Sequence, residues 1–457
     1  MARDAHPGKA RSLDVTEGVI WRQFLQLFWP IFLGSAVQQA YQLVNTFVVG
    51  HFAGTDALGG IQATQSLNEL AVVFCVGVGA GCAIIVGERF GARDDEGVSV
   101  ASHTAMALAV VIGLVVTLAA QLVLDPVLRF IHTPEELLWE SLAYSRMFLA
   151  ALTLTLVYNM GAGVLRAVGD TRTPALILGV SLLVAAGLDM VFVAWMRLEA
   201  FGCGLSYLLA YAVAALLVVA YLMRSEGPWR IELRRLRMDG RCARRMLVTG
   251  IPLGVQSSAY SVSNIVVQSS INSFGATVVT GWGLSARIDG IIWLVADSLG
   301  TAVTTFVAQN FGARRWGRIR DSLKVSLAMS FLVVGGLSAV IVLAAEPLAR
   351  FFVADAGVVA ACVTLLRGIG PFYCLYSVSA NISGTIRGTG ESLRPMLITI
   401  AGTCLLRVAW VLLVMPLHHS QVALMLCYPV TWVVTDLAFA WYWRRGAWRR
   451  VMRDEAA

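Results

Sequence analysis

The sequence predicts an all-α membrane protein, with twelve transmembrane helices in two pseudo-symmetric six-helix bundles, on three observations. Of its 457 residues 14% are charged and 58% hydrophobic, with a mean hydropathy of +0.72, whereas a soluble domain carries about 25% charged residues. Apolar runs long enough to cross roughly 30 Å of bilayer hydrocarbon recur about twelve times. A charged turn, "GVLRAVGDTRTPALIL" from Gly163, returns as "GTIRGTGESLRPMLIT" from Gly384, with Arg166 and Arg387 separated by 387 − 166 = 221 positions.

Six spans are predicted at 22–49, 58–86, 98–124, 138–162, 174–196 and 200–223, and six more at 246–273, 277–308, 322–345, 358–385, 395–415 and 420–443. Residues 1–21 form a polar cytoplasmic tail. No small-residue cleavage site follows the first apolar run, so an uncleaved chain is expected. The longest polar stretch, "RSEGPWRIELRRLRMDGRCARR", is read as a basic cytoplasmic linker over 224–245. It separates an N-terminal lobe, 22–223, from a C-terminal lobe, 246–443, and a second cytoplasmic tail covers 444–457. The repeat supports that division, because "FGARDDEG" at Phe90 recurs as "FGARRWGR" at Phe311, and Arg146 matches Arg367, at the same interval. Six is an even number of crossings, so both copies enter the membrane with the same polarity.

Within the repeated turn Gly169 and Gly390 stop the preceding span, and Thr173 or Ser392 is available to cap the next helix, with Pro174 in its first turn. These two glycines are candidate gate hinges. Pro30 and Pro252 hold matching early positions in the first and seventh spans, where each removes a backbone hydrogen bond and permits a bend, giving a second hinge pair.

An inside N-terminus makes Arg89, Arg93, Arg166, Arg172, Arg314, Arg315, Arg387 and Arg394 cytoplasmic and leaves few basic residues opposite. Both termini are therefore expected in the cytoplasm, with the chain in the cell (inner) membrane. The net charge of +7 suits anionic lipid headgroups rather than nucleic acid. The eight cysteines form no CxxC pair and read as packing residues. The run "GVGVGAG" at Gly77, Gly79 and Gly81 lies inside an apolar helix with no preceding strand, which points to close helix packing rather than to a dinucleotide site. With no Walker lysine, no HExxH and scattered histidines such as His132, no enzyme activity, cofactor or metal centre is expected.

Polar residues inside spans should face water or each other. Gln38, Gln42 and Asn45 fall at i, i+4 and i+7 of the first span. Gln62, Gln65 and Glu69 fall at i, i+3 and i+7 of the second, and Gln256, Tyr260, Asn264, Gln268 and Asn272 recur every four residues in the seventh. These stripes are candidate substrate-cavity linings, with helix-to-helix glue as the other reading. Glu69, Asp189, Asp289, Asp297 and Asp436 lie within spans, where a lone carboxylate should be paired, hydrated or protonated. That chemistry is a proton relay or a cation site. Arg407, mid-span in the eleventh helix, is a candidate partner for one of the acids.

Twelve spans in two halves, together with "GVLRAVGDTRTP", "GIPLGVQSSAYSVSNIVVQSSINSFGA", "TTFVAQNFGARRWGRIR" and "ISGTIRGTGES", resemble the multidrug and toxic compound extrusion (MATE) family from about Trp21 to Tyr442. The resemblance implies a V of two six-helix bundles that exports organic, often cationic, drug-like molecules while H⁺ or Na⁺ runs inward. A monomer without cofactor is the expected form, and a flippase for lipid-linked saccharides is the alternative in a related fold. Members of the family usually carry an aspartate where "YQLVNTFVVG" has Asn45, and a polar residue in the sixth helix near Tyr207. The fifth-helix acid is retained as Asp189, but the Asn often found one turn earlier is Ala185. A single carboxylate offers few oxygens to Na⁺, whereas proton coupling needs one titrating group. Asp189 meets that need, or the load shifts to Asp297 or Asp289.

Overall fold

The computed structural model of the protein describes residues 12–131 and 133–445; residues 1–11, His132 and 446–457, which include parts of both predicted tails, lie outside the described residues. In hydrocarbon each backbone N–H and C=O must be paired within the protein, and a helix does this inside one segment. Among the described residues there is accordingly no strand.

The first six spans are α1 (Ile20–Phe52), α2 (Gly54–Gly91), α3 (Asp95–Phe130), α4 (Glu135–Ala150) broken at Ala151 from α5 (Leu152–Ala167), α6 (Arg172–Asp189) prolonged by a π turn over Met190–Trp195, and α7 (Glu199–Arg224). The second six are α8 (Gly240–Asn272), α9 (Ala276–Gly312), α10 (Trp316–Leu343) with the short α11 (Ala345–Phe352), α12 (Ala356–Ile369) joined through Gly370–Phe372 to α13 (Tyr373–Gly388), α14 (Leu393–Thr399) running through a π turn (Ile400–Leu405) into α15 (Leu406–Leu413), and α16 (Gln421–Arg445). Several helices overrun the predicted spans, as α2 does against 58–86, because helical hydrogen bonding continues past the hydrocarbon edge where side chains become polar.

Ten of these segments are long and apolar enough to cross a bilayer. The other two long helices, α1 and α8, have 33 residues each and carry the amide stripes, which lower their hydropathy without shortening them.

The helix ends repeat at the sequence interval. Adding 221 to Leu152 and Ala167 gives Tyr373 and Gly388, the ends of α13, and adding it to Arg224 gives Arg445, the end of α16. Left-handed backbone recurs in the same register: Gly54 and Gly275 have φ of 88° and 86°, Arg93 and Arg314 have 56° and 55°, and Gly169 and Gly390 have 86° and 85°.

The chain divides into two compact units, Trp29–Gly254 with Val15 and the described residues before it, and Thr16–Phe28 with Val255 onward. The division passes through α1 and α8 beside Pro30 and Pro252. In the first unit α5 packs against α2, α3 and α7. There the "GVGVGAG" run lets backbones touch: a Cβ on Gly77 would lie 2.3 Å from the Gly254 nitrogen, and one on Gly81 would lie 2.5 Å from Gly250. Close approach of this kind drives helix association where lipid and protein are equally apolar. In the second unit α13, the counterpart of α5, packs against α9, α10 and α16.

The repeated charged turn ties each unit to its last long helix. Asp170, 4% exposed, accepts from the Thr173 backbone N–H at 3.0 Å, from Thr173 Oγ1 at 2.6 Å and from Tyr221 Oη at 3.1 Å. The cap expected from Thr173 is thus supplied by Asp170. In the second copy Glu391 accepts from Tyr442 Oη at 2.7 Å and pairs with Arg394 at 2.7 Å. The expected Ser392 cap is not made, and its hydroxyl is buried without a partner. Glutamate is one methylene longer than aspartate, so it reaches the arginine instead of its own helix end. Tyr221 and Tyr442 are again 221 positions apart.

The turn before α3 is capped by Asp94, which accepts from the Gly97 N–H at 2.8 Å and binds Arg89 at 2.7 Å. Its counterpart before α10 is Arg315, with no side-chain cap.

Two outcomes are expected in thermal melts of the detergent-solubilised protein. Gly169→Ala and Gly390→Ala both force alanine into the left-handed region, at about 1–2 kcal/mol each. The loss should be greater at 169, where a Cβ would lie 2.4 Å from the Leu13 oxygen, than at 390, where nothing lies within 4 Å; equal losses would contradict the packing described. Asp94→Ala should cost about 1 kcal/mol at neutral pH. The Gly97 N–H, and then Arg89, hold the Asp94 carboxyl below its ordinary range. Its contribution is therefore full above the unfolded value of about 3.9 and is lost as pH falls through the lower folded one, where wild type and variant should converge.

Candidate functional site

In the first unit Asp189 is the last residue of α6, where the helix widens into the π turn, a distortion that often accompanies functional sites. It is fully buried, at 0% exposure. Its Oδ2 accepts from Tyr41 Oη at 3.2 Å and from Asn45 Nδ2 at 3.0 Å. Tyr41 and Asn45 lie one turn apart on the same face of α1. The Asn45 amide also reaches Cys203 Sγ on α7 at 3.0 Å. Asp189 Oδ1 is buried with no hydrogen-bond partner. An anion placed so has one oxygen uncompensated, which costs several kcal/mol in an apolar interior; a proton or small cation at that oxygen removes the penalty.

At the family position Tyr207 itself is not a polar partner for Asp189. Tyr207 stacks on Phe148 with ring centroids 4.1 Å apart, and it is Cys203, one turn earlier, that meets Asn45. Ala185 is fully buried and adds no ligand.

In the second unit α9 presents Asp289, Trp293 and Asp297 at i, i+4 and i+8 on one face. Tyr373 donates to Asp289, and Tyr376 donates to Asp297 at 3.0 Å. Trp293 lies edge-on to Tyr373, Tyr376 and Trp432, at 5.8, 4.6 and 5.9 Å. Asp289 is half-buried, whereas Asp297 is exposed in the middle of an apolar span, which for a carboxylate means facing water rather than lipid. Asp436 accepts from Ser379.

Arg407 is not the partner of any of these acids. It donates to Asn264 Oδ1 at 3.1 Å and lies over the Tyr428 ring, 4.5 Å from its centroid. An amide from the predicted seventh-span stripe has taken the place expected for a carboxylate.

The remaining stripe residues fare unequally. Gln42, Gln65 and Glu69 are exposed, Gln38 and Tyr260 are half-buried, and Gln256 is half-buried with its Oε1 unpaired. Gln268 donates to Asn272 on its own helix at 2.9 Å, so that pair is local. Sequence reasoning missed Tyr41, Cys203, Trp293, Tyr373, Tyr376 and Tyr428. A signal existed for two of them, because Tyr41 precedes Asn45 and Trp293 follows Asp289 by one turn. Among the described residues no group of three or more His, Cys, Asp or Glu could hold a metal.

The MatE family model matches residues 30–191 and 252–413. The "Probable multidrug resistance protein YoeA" of Bacillus subtilis (strain 168) is 26% identical over 388 residues, 83% of this chain and 84% of that protein. A "FAD transporter" of Shewanella oneidensis is 24% identical over 348 residues, 74% of this chain and 75% of that protein. A solved structure described as the outward-facing conformation of a multidrug resistance MATE family transporter superposes with a TM-score of 0.88 at 20% identity, covering 98% of this chain and 99% of that one.

Thiol labelling checks which polar positions are wet. With the half-buried Cys242 and Cys374 replaced by serine, a cysteine at position 297 should react with a membrane-impermeant maleimide. One at position 332, where Leu332 is 77% exposed on α10, should not, because lipid covers it. Equal reactivity at both positions would mean that exposure at Asp297 carries no information about water.

Proposed function

The chain belongs to the MatE family of multidrug and toxic compound extrusion transporters and is a multi-pass membrane protein, and from that premise we propose that it is a secondary antiporter. It exports organic solutes, cationic or aromatic, by alternating access while protons run inward. It acts as a monomer in the cell (inner) membrane with both termini in the cytoplasm. The observation that carries this reading is Asp189: one oxygen is held by Tyr41 and Asn45, and the other is buried with no partner.

A proton on that free oxygen converts an expensive buried anion into a neutral hydrogen-bonding group, so occupancy by H⁺ and the packing of α1 and α6 are linked. Sodium fits less well. It needs several oxygens at once, and the Asn45 amide turns its NH₂ toward Asp189. One proton crossing about 100 mV releases about 2.3 kcal/mol, enough for roughly a fiftyfold gradient of a neutral solute. No nucleotide site is then required. Cargo release follows from competition, since a ligand can shift an equilibrium only through its differential affinity for the two states: the protonated state binds cargo less well than the state that loads it.

The second unit supports a cationic aromatic cargo, because Asp297 stands exposed beside Trp293 and Tyr376 and aromatic faces attract cations by about 0.5–2 kcal/mol. Asp289 and Glu69 are secondary coupling candidates, and Gln38, Gln42, Asn45, Gln65, Gln256, Tyr260, Asn264 and Gln268 are lining candidates. Pro30 and Pro252, with Gly169 and Gly390, are the positions at which the rocking bends. The saccharide flippase is not favoured.

In proteoliposomes Asp189→Asn should lose at least tenfold of solute-driven proton flux while keeping a melting temperature no lower than wild type, since an amide replaces an uncompensated carboxylate. Identical flux in the two proteins would defeat the assignment. Asn45→Asp, which sets a second carboxylate beside the first, should bring out a response to Na⁺ at constant pH.

A further inference from the structure

Arg407 sits in α15, six residues before its end at Leu413, and is only 3% exposed. A guanidinium keeps its charge at any physiological pH, so this is a permanent cation inside a membrane span. Among the described residues it forms no ion pair. The three carboxylates of the second unit's spans are each held by a hydroxyl: Asp289 by Tyr373, Asp297 by Tyr376 and Asp436 by Ser379. Arg407 itself has one amide oxygen, that of Asn264, and one ring face, that of Tyr428. Its Nε is buried with no hydrogen-bond partner.

A purely structural pin would not leave the buried Nε donor unpaired, nor bury a cation without counter-charge at a cost of several kcal/mol. The unused edge of a guanidinium is a planar fork that fits two oxygens of a carboxylate or phosphate at once. The approach is polar, because Asn264 is exposed and Tyr428 half-buried. Aromatic surface adjoins it, with Trp432 at 5.8 Å from Tyr428. The same unit also presents an exposed carboxylate, Asp297, so it offers groups of either sign.

We propose that Arg407, positioned by Asn264 and Tyr428, is the receptor for a carboxylate or phosphate carried by an aromatic solute, so that zwitterionic and anionic aromatic compounds are cargo alongside cations. This deepens the antiporter reading, and rests on it for the fate of the bound solute.

The test is equilibrium binding to the full-length protein in detergent, followed by flavin fluorescence, with flavin mononucleotide and riboflavin as probes that share a ring system and differ by one phosphate. Wild type should bind the mononucleotide at least about tenfold more tightly. Arg407→Gln should bring the ratio to about one, and Arg407→Lys, which keeps the charge but not the fork, should retain part of it. Asn264→Asp leaves the arginine in place and gives it a fixed counter-ion, so it should also lower the ratio and covers the case in which Arg407→Gln fails to fold. A wild-type ratio near one, or a ratio unchanged in the variants, overturns the proposal. Solute-driven proton flux with an organic cation, measured on the same preparation, is read separately: intact flux with a flavin ratio of one removes this site and leaves the antiporter, and the reverse result removes the antiporter and leaves the site.

Discussion

Hydrocarbon provides no hydrogen-bond partners, and this one constraint organises the protein. It puts the backbone into helices and sends polar side chains to one another. Asn68 donates to Thr64 and Ser145, Asn381 to Ser330 and to the Ser377 carbonyl, and Thr403 meets Thr435. The bonds to Ser145 and Ser330 and the Thr403–Thr435 pair cross between helical segments and are worth on the order of 1 kcal/mol each. Against that background a buried polar atom with nothing to bind is costly, and both Asp189 Oδ1 and Arg407 Nε are of this kind. Asn68 Oδ1, Asn381 Oδ1 and Arg387 Nε are likewise buried without a partner. At Asp189 and Arg407 the unpaired atom belongs to a group of known sign, negative in one unit and positive in the other.

The hydroxyl partners of the acids matter for the same reason. A tyrosine donating to Asp189, Asp289 or Asp297 stabilises the anion without neutralising it. An arginine in the same place would hold the carboxylate charged through any transport cycle. By pairing acids with phenols and leaving Arg407 to an amide, the fold keeps opposite charges from cancelling each other.

Much of this was legible in the sequence, because membrane burial writes itself into composition and the repeat into spacing. The interval read from Arg166 and Arg387 is the one at which helix ends and left-handed residues recur. Asp189, Asp289 and Asp297 stood out as acids in apolar runs. Their partners did not, because Asn45 and Asp189 are 144 positions apart and Asp297 and Tyr376 are 79 apart, and no periodicity within one helix reports on another. The Thr173 cap fails for a local reason: α6 begins at Arg172, so Thr173 lies inside the helix, and Asp170, three residues earlier, accepts both its N–H and its hydroxyl. The pairing of Arg407 with an acid follows from the rule that buried charges pair, and its Asn264 contact departs from that rule.

The two copies agree where backbone geometry is at stake and part where chemistry is. Left-handed turns, helix ends and the acid-to-tyrosine tie of the repeated turn recur at 221 positions. At the same interval Asp189 faces Trp410, Asn45 faces Val266, Asp297 faces Val76 and Arg407 faces Ala186. Tyr428 does have a counterpart in Tyr207, and Asp289 a polar one in Asn68, so it is these four charged or amide positions that the other copy lacks. Had these residues served folding, the selection that preserved a glycine at φ near 86° in both turns would have had equal cause to preserve them in both units, since the packing problem is the same twice. Their absence from the other copy means that the packing common to both units does not require them. They mark where the two units differ in charge, with a buried acid in one and a buried cation and an exposed acid in the other.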